Sequence, residues 1–165
     1  PALRMAVQRD LTRELIVVTG TEPGDTLREV VADLGEILTD TVAIAPGRRT
    51  GLAVVEDRPV LLLPDSSTAA RVGAVQLLRP LLKTFAHAPL TAFPERHAPL
   101  TDAVEADPTH RRFVPVTLED EGATPLSGTG IGPATRADGW VTVPDGATGH
   151  AAGATVAVEE WDYLP

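Results

Sequence analysis

The stretch from Val60 to Leu82, VLLLPDSSTAARVGAVQLLRPLL, constrains this chain more than any other. Val60–Leu63 is a continuous apolar run short enough for a buried strand, and Pro64-Asp65-Ser66-Ser67 ends it. The same turn offers hydroxyl or carboxylate caps for a helix from Thr68. A strand–turn–helix of this kind belongs in an α/β sheet, where ligands bind outside the carboxyl ends of strands and beside helix N-termini. The turn Pro64–Thr68 is therefore the first candidate for chemistry. Pro80, inside the helical stretch, is expected to kink or end it, because it lacks an N–H and crowds the preceding turn.

The rest of the first half extends this pattern. Leu3–Leu11 has loose helical spacing, and Leu15–Val18 reads as a strand entering the turn-rich loop Thr19-Gly20-Thr21-Glu22-Pro23-Gly24-Asp25. The following helix has a capping box, Thr26-x-x-Glu29, and an apolar stripe of Leu27, Val30, Val31 and Leu34, with Gly35 as its stop. Thr41–Ile44 is a third strand candidate, ended by the loop Ala45-Pro46-Gly47-Arg48-Arg49-Thr50-Gly51. Gly51–Val55 and Val60–Leu63 read as paired strands joined by the polar turn Glu56–Pro59.

After Lys83 the pattern changes. Ala86–Leu100 carries Pro89, Pro94 and Pro99 with His87 and His97, and has no sustained period, as a linker would. Beyond Thr101, the runs Arg112–Leu118, Trp140–Val143 and Thr155–Trp161 alternate with Gly, Pro and Asp, which predicts a small β domain built as a barrel or sandwich.

Composition excludes several function classes. At 165 residues and 43% apolar content, the chain can bury one medium core or two small ones. Its apolar runs fall far short of the roughly 20 residues needed to cross a bilayer, and no signal-peptide pattern opens it, so no membrane partner and a cytoplasmic location are expected. A start at Pro1 rather than Met suggests a processed chain or a fragment. The absence of cysteine removes disulfides, thiolate metal sites and cysteine nucleophiles. A net charge of −9 argues against nucleic acid, whose phosphates need a basic face. Lys83 is the single lysine; every other basic side chain is arginine, apart from four histidines.

Four loops are candidates for chemistry. Thr19–Asp25 sits where a backbone-lined phosphate site can form, yet it matches neither a dinucleotide fingerprint nor a P-loop and reads more readily as a plain connection. Arg48 and Arg49 are either an anion clamp or two solvated arginines. In Pro64–Thr68, Asp65 could hold Mg²⁺ while hydroxyls hold phosphate, or the residues could simply cap the helix. His110, Arg111 and Arg112 open a strand, with His150 far downstream, and this scatter is not metal-ligand spacing. No catalytic nucleophile is indicated.

Taken in order, these segments resemble a known family. ELIVVTGTEPGD, DLGEILTDTVAIAPGRRTG, RPVLLLPDSSTAA and LLRPLLKTF are similar to the later half of the molybdopterin-binding domain of the MoeA/gephyrin E-domain family, the molybdopterin molybdenumtransferases. THRRFVPVTLEDEGATPLSGTGIGPATRADGWVTVPDG and ATGHAAGATVAVEEW resemble the family's C-terminal β-barrel domain, including Ala-Asp-Gly before an apolar strand. The resemblance implies an α/β fold: residues 1–85 form part of a three-layer molybdopterin-binding-type segment, 86–100 a linker, and 101–165 a small all-β barrel. It also implies a reaction, the insertion of molybdate into adenylylated molybdopterin with Mg²⁺ and release of AMP, carried out by a homodimer.

The family's three site loops have counterparts here, each altered. Thr19-Gly20-Thr21 keeps one glycine of a Gly-Gly-x-Ser loop, Ala45-Pro46-Gly47-Arg48 replaces the first lysine of Lys-Pro-Gly-Lys and keeps a cation at Arg48, and Pro64-Asp65-Ser66-Ser67 keeps only the first proline of Pro-Gly-Asn-Pro. By this resemblance Gly20, Arg48 and Ser66 would contact the pterin substrate, and Asp25 and Asp65 would contact Mg²⁺. A diverged, non-catalytic pterin-binding or assembly module of the same fold is the alternative expectation.

Overall fold

In the computed structural model, the described residues are 4, 5, 8, 13–21, 25–128 and 130–161. The chain divides into two compact units, the first comprising residues 1–42 and 47–79 and the second residues 43–46 and 80–165. The helix expected over Leu3–Leu11 and the Glu22–Gly24 part of the glycine-bearing loop lie largely outside the described residues.

The first unit is a four-stranded mixed sheet. Strands β1 (Ile16–Val18), β2 (Glu36–Thr39), β4 (Gly51–Val55) and β5 (Arg58–Leu62) lie in the order β1-β5-β4-β2, with β1 parallel to β5 and the other pairs antiparallel. Val60, Leu61 and Leu62 are fully buried, as a run apolar on both faces requires. One face packs Ile16, Ala53, Val55, Val60 and Leu62 against Val31 of helix α1 (Thr26–Leu34). On the other side, helix α2 (Ser67–Gly73) approaches closely enough that a Cβ at Gly73 would lie 3.0 Å from Leu63.

Details at the helix ends differ from the sequence-based expectations. Asp25, one residue before Thr26, caps α1, its Oδ1 accepting the Arg28 N–H at 2.8 Å. Gly35 follows the helix in extended backbone, so its lack of a side chain serves space instead: a Cβ there would meet the Val54 carbonyl oxygen at 2.0 Å. Ser66 caps α2 through the Ala69 N–H. The helical stretch does not end at Pro80. A π-helical turn, Ala74–Leu78, joins α2 to α3 (Arg79–Phe85), so that Pro80 falls in the first turn of a new α segment, where an N–H is not needed.

The second unit is a six-stranded sheet. Strands β3 (Ile44–Ala45), β6 (Glu95–Pro99), β7 (Arg111–Glu119), β9 (Gly139–Val143) and β10 (Thr155–Glu160) lie in the order β3-β7-β9-β10-β6, and β8 (Gly122–Pro125) pairs with the end of β7. The expected closed barrel is not formed. The sheet curls until its ends meet at one isolated bridge, Leu100–Ala123, where the Thr101 N–H donates to the Ala123 carbonyl at 3.0 Å. No continuous ladder completes the circuit. Residues 95–99, read from the sequence as linker, form the edge strand β6 on β10.

Strand alternation builds two apolar layers on this sheet. Val114, Val116, Val141, Val143, Val156 and Val158 share one core. Phe113 and Trp140 point the other way, and Trp140 stacks edge-on against both Phe113 and Trp161 at 5.2 and 5.1 Å. A short helix, α4 (Ile131–Arg136), precedes the Ala137-Asp138-Gly139 segment. No described helix is long and apolar enough to cross a membrane.

Candidate functional site

The carboxyl ends of the first unit's strands set the site. β5 ends at Leu62, and the turn after it projects Asp65 and Ser66 beyond the sheet; the loop before β4 projects Arg48 and Arg49 toward the same place. The two segments form opposite walls of one cleft of about 190 Å³, lined by Gly47, Arg48, Arg49, Pro64, Asp65, Ser66 and Ala69. Three residues singled out from the sequence, Arg48, Asp65 and Ser66, thus share a cleft although 16 or more positions separate Arg48 from the others. Arg48 and Asp65 are exposed, and neither forms an ion pair with another described residue.

Backbone hydrogen bonds hold both walls. The Thr50 N–H donates to the Gly47 carbonyl and the Val42 N–H to the Arg48 carbonyl, each at 2.8 Å, which folds the arginine loop back on itself. On the opposite wall, Thr21 donates both its N–H and its Oγ1 hydroxyl to the Leu63 carbonyl at 3.0 Å. Gly20 therefore sits beside the cleft in left-handed backbone, with φ of 78°, but is not among the residues that line it. Asp25 is not among them either; its carboxylate serves as the α1 cap.

The donor set favours an anion. Two guanidiniums, from Arg48 and Arg49, line the cleft with planar forks suited to an oxyanion, facing a hydroxyl and a single carboxylate. That carboxylate, on Asp65, is of the kind that holds a hydrated divalent cation. No three His, Asp or Glu side chains converge to make an all-protein metal site among the described residues.

The residue that sequence reasoning missed is Arg28. It occupies the buried side of α1 beside Val31, at 3% exposure, and its guanidinium donates to Asp40, to the Arg49 carbonyl and, at 3.4 Å, to Thr21 Oγ1. An arginine inside an amphipathic helix reads as solvated from spacing alone. The only available signal was its position three residues before Val31, on the buried stripe.

The other candidate residues lie elsewhere. His97 is on edge strand β6, and His150 forms a backbone bridge with Val104. His110 Nδ1 sits 3.1 Å from Asp107 Oδ1, and Asp107 also accepts the Thr109 and His110 N–H groups. These bonds, the Thr109 backbone first, hold the Asp107 carboxyl down at about 2. A larger cavity, about 300 Å³, lies in the second unit beside Val114 and Leu126, but the Arg112 guanidinium in its wall is engaged by the Glu105 carbonyl.

Comparison with known proteins bears on the fold and the family resemblance. Residues 97–161 match the sequence model of the MoeA C-terminal region, domain IV. A Methanocaldococcus jannaschii protein that carries a molybdopterin-biosynthesis name is 26% identical over 163 residues, a match covering 94% of this chain and 39% of that protein. The crystal structure of a molybdopterin biosynthesis MoeA protein from Pyrococcus horikoshii superposes with a TM-score of 0.83 at 26% identity, covering 98% of this chain and 41% of its own. A molybdenum cofactor biosynthesis protein from Pyrococcus furiosus gives a TM-score of 0.76 at 20% identity, with 96% and 54% covered, and so shares the fold. The chain spans about two-fifths of the length of the curated relative it matches. Along nearly its whole length the chain is similar to MoeA proteins, and its residues 97–161 match their C-terminal region.

Proposed function

We propose that this chain works in molybdenum cofactor biosynthesis, as part of a protein that binds adenylylated molybdopterin and inserts molybdate into its dithiolene, with release of AMP. The observation that carries this reading is the convergence of Arg48 and Arg49 with Asp65 and Ser66 on one cleft at the strand ends. The MoeA-like relatives named for molybdopterin or molybdenum cofactor biosynthesis supply the substrate class.

In this reading the Arg48 and Arg49 guanidiniums hold phosphate or molybdate oxygens in forked hydrogen bonds and offset their charge. Asp65 would bind Mg²⁺, which when present neutralises charge on the phosphate as AMP departs. Without that cation Asp65 opposes anion binding, so affinity depends on Mg²⁺. Gly20, strapped beside the cleft through Thr21, would leave space for the rest of the pterin nucleotide: among the described residues nothing beyond its chain neighbours lies within 4 Å of where its Cβ would be. Asp25 caps α1 through Oδ1 and so holds the end of that loop. A dimer in solution belongs to the same reading.

The test is a titration of the natural-length protein with adenylylated molybdopterin, followed by pterin fluorescence, with and without Mg²⁺. Saturable binding that strengthens with Mg²⁺, followed by molybdate incorporation, is the expected result. Binding without incorporation would favour a non-catalytic pterin-binding or assembly module, a reading motivated by alanine at position 45 where the family's loop begins with lysine. No binding by the folded protein overturns both pterin-binding readings and leaves the assembly module.

A further inference from the structure

We propose that Arg28 is a positioning residue that ties the two walls of the cleft together and sets its grip on anions without touching the ligand; this rests on the reading of the cleft as an anion site. Arg28 does not line the cleft. Its guanidinium instead reaches three loops at the ends of three strands: Thr21 after β1, Asp40 after β2, and the Arg49 carbonyl before β4. From Thr21 the connection continues, because the same hydroxyl that accepts from Arg28 donates to the Leu63 carbonyl, one residue before Pro64. One side chain therefore links the arginine wall to the Asp65–Ser66 wall.

Two physical points separate this role from simple packing. A buried guanidinium is costly unless its hydrogen bonds are met, and an apolar side chain of similar size would fill the same space more favourably. What only the planar fork supplies is a simultaneous reach to a carboxylate, a hydroxyl and a backbone carbonyl. The surroundings also leave room for it: a Cβ at Gly51 would lie 2.8 Å from Arg28 Nη1 and 3.1 Å from the Thr39 carbonyl oxygen. Holding the Arg49 carbonyl fixes the backbone that carries both cleft arginines.

The experiment compares wild type with Arg28→Met, Arg28→Lys and Asp40→Asn in the natural-length protein. Amide hydrogen exchange is read first, since it needs no ligand. Arg28→Met is expected to speed exchange about tenfold or more at Val42 and Thr50, whose N–H groups close the arginine loop, and to leave Val54 and Leu62 in the sheet unchanged. Arg28→Lys should restore part of the protection, and Asp40→Asn, which keeps the shape and removes the charge, should show a several-fold effect at the same amides. Unchanged loop amides in Asp40→Asn, or a uniform rise across the sheet, would overturn the proposal even if Arg28→Met does not fold.

The second readout is a double-variant cycle with Arg48→Ala, using adenylylated molybdopterin and Mg²⁺ as the probe. Arg28→Lys should weaken binding several-fold when Arg48 is present and have a smaller effect once Arg48 is alanine, the remainder acting through Arg49. Equal losses in both backgrounds would mean that Arg28 only supports the fold, and would sink the positioning role. If wild type does not bind the probe, the functional reading fails while the exchange data still decide whether Arg28 holds the loop.

Discussion

Arg48 is one of two exposed cations lining the cleft, and the anion-binding role proposed for it is separable from folding because its side chain holds nothing else among the described residues. Arg48→Ala is expected to weaken the Mg²⁺-dependent binding of adenylylated molybdopterin by roughly 10- to 100-fold, the size of a lost charge-assisted hydrogen bond, with the melting temperature unchanged. Fluorescence titration beside a thermal melt checks both halves. A second residue-scale expectation concerns pH. Asp107, normally near 3.8, is held at about 2 by hydrogen bonds from the Thr109 backbone and from His110. Because the folded value lies below the unfolded one, the carboxylate stabilises the 107–110 turn fully above pH 3.8, and that contribution fades as pH falls toward 2. An NMR titration of the Asp107 carboxyl carbon should show the low midpoint, and Asp107→Asn should abolish the acid-dependent loosening of the Thr109 amide. At this scale the sequence showed which loops carry charge but not which residues hold them: Asp25, expected by resemblance at the metal, caps α1 through Oδ1, and Arg28, which the sequence reading passed over, is buried.

Elements were most legible where their apolar period was long or where a run was buried on both faces. α1, β5, β7, β9 and β10 fall within a residue or two of their expected positions, whereas β6 was read as linker, α4 was not foreseen, and two short strands, β2 and β8, were missed. Both are four-residue strands at which half the side chains face solvent or a turn, so their alternation is too brief to stand out. β2 was also hidden by Gly35, read as a helix stop with loop beyond it, although its absent side chain admits the Val54 carbonyl. The Ala137-Asp138-Gly139 motif has a structural explanation that its spacing could not reveal. Ala137 accepts the Trp161 indole N–H at 2.6 Å, Asp138 Oδ2 accepts the Leu118 N–H at 2.7 Å, and a Cβ at Gly139 would meet the Glu159 carbonyl at 2.3 Å. The β4–β5 hairpin offers a test of local strain. Its two-residue loop, Glu56–Asp57, places both residues at positive φ, 47° and 62°, which suits Asn-Gly far better than Glu-Asp. Glu56→Asn with Asp57→Gly should stabilise the first unit by about 1 kcal/mol, read as a higher urea midpoint with an unchanged slope.

At the scale of the whole molecule, the 165 residues build two separate hydrophobic cores, one around Val31, Val55, Val60 and Leu62 and the other around Val114, Val116, Val141 and Val158. The sequence was divided at a change of composition after Lys83, whereas the contacts put residues 80–85 in the second unit, together with residues 43–46, which lie far upstream and pair with β7. A two-residue strand leaves no periodicity to read, and its partner can be identified only in the folded chain. Both tryptophans, Trp140 and Trp161, lie in the second unit, so their fluorescence reports that core alone, whereas far-ultraviolet circular dichroism reports both. Val31→Ala removes two fully buried methyl groups from the first core and should cost it about 2 kcal/mol. In this chain the variant is expected to shift the early part of the dichroism transition in urea while the tryptophan transition stays in place. Equal shifts of both signals would mean that the two cores unfold as one cooperative body. The outcome also bears on the cleft, whose walls belong entirely to the first unit: separate transitions would let the site lose its geometry by local unfolding while the second unit stays folded.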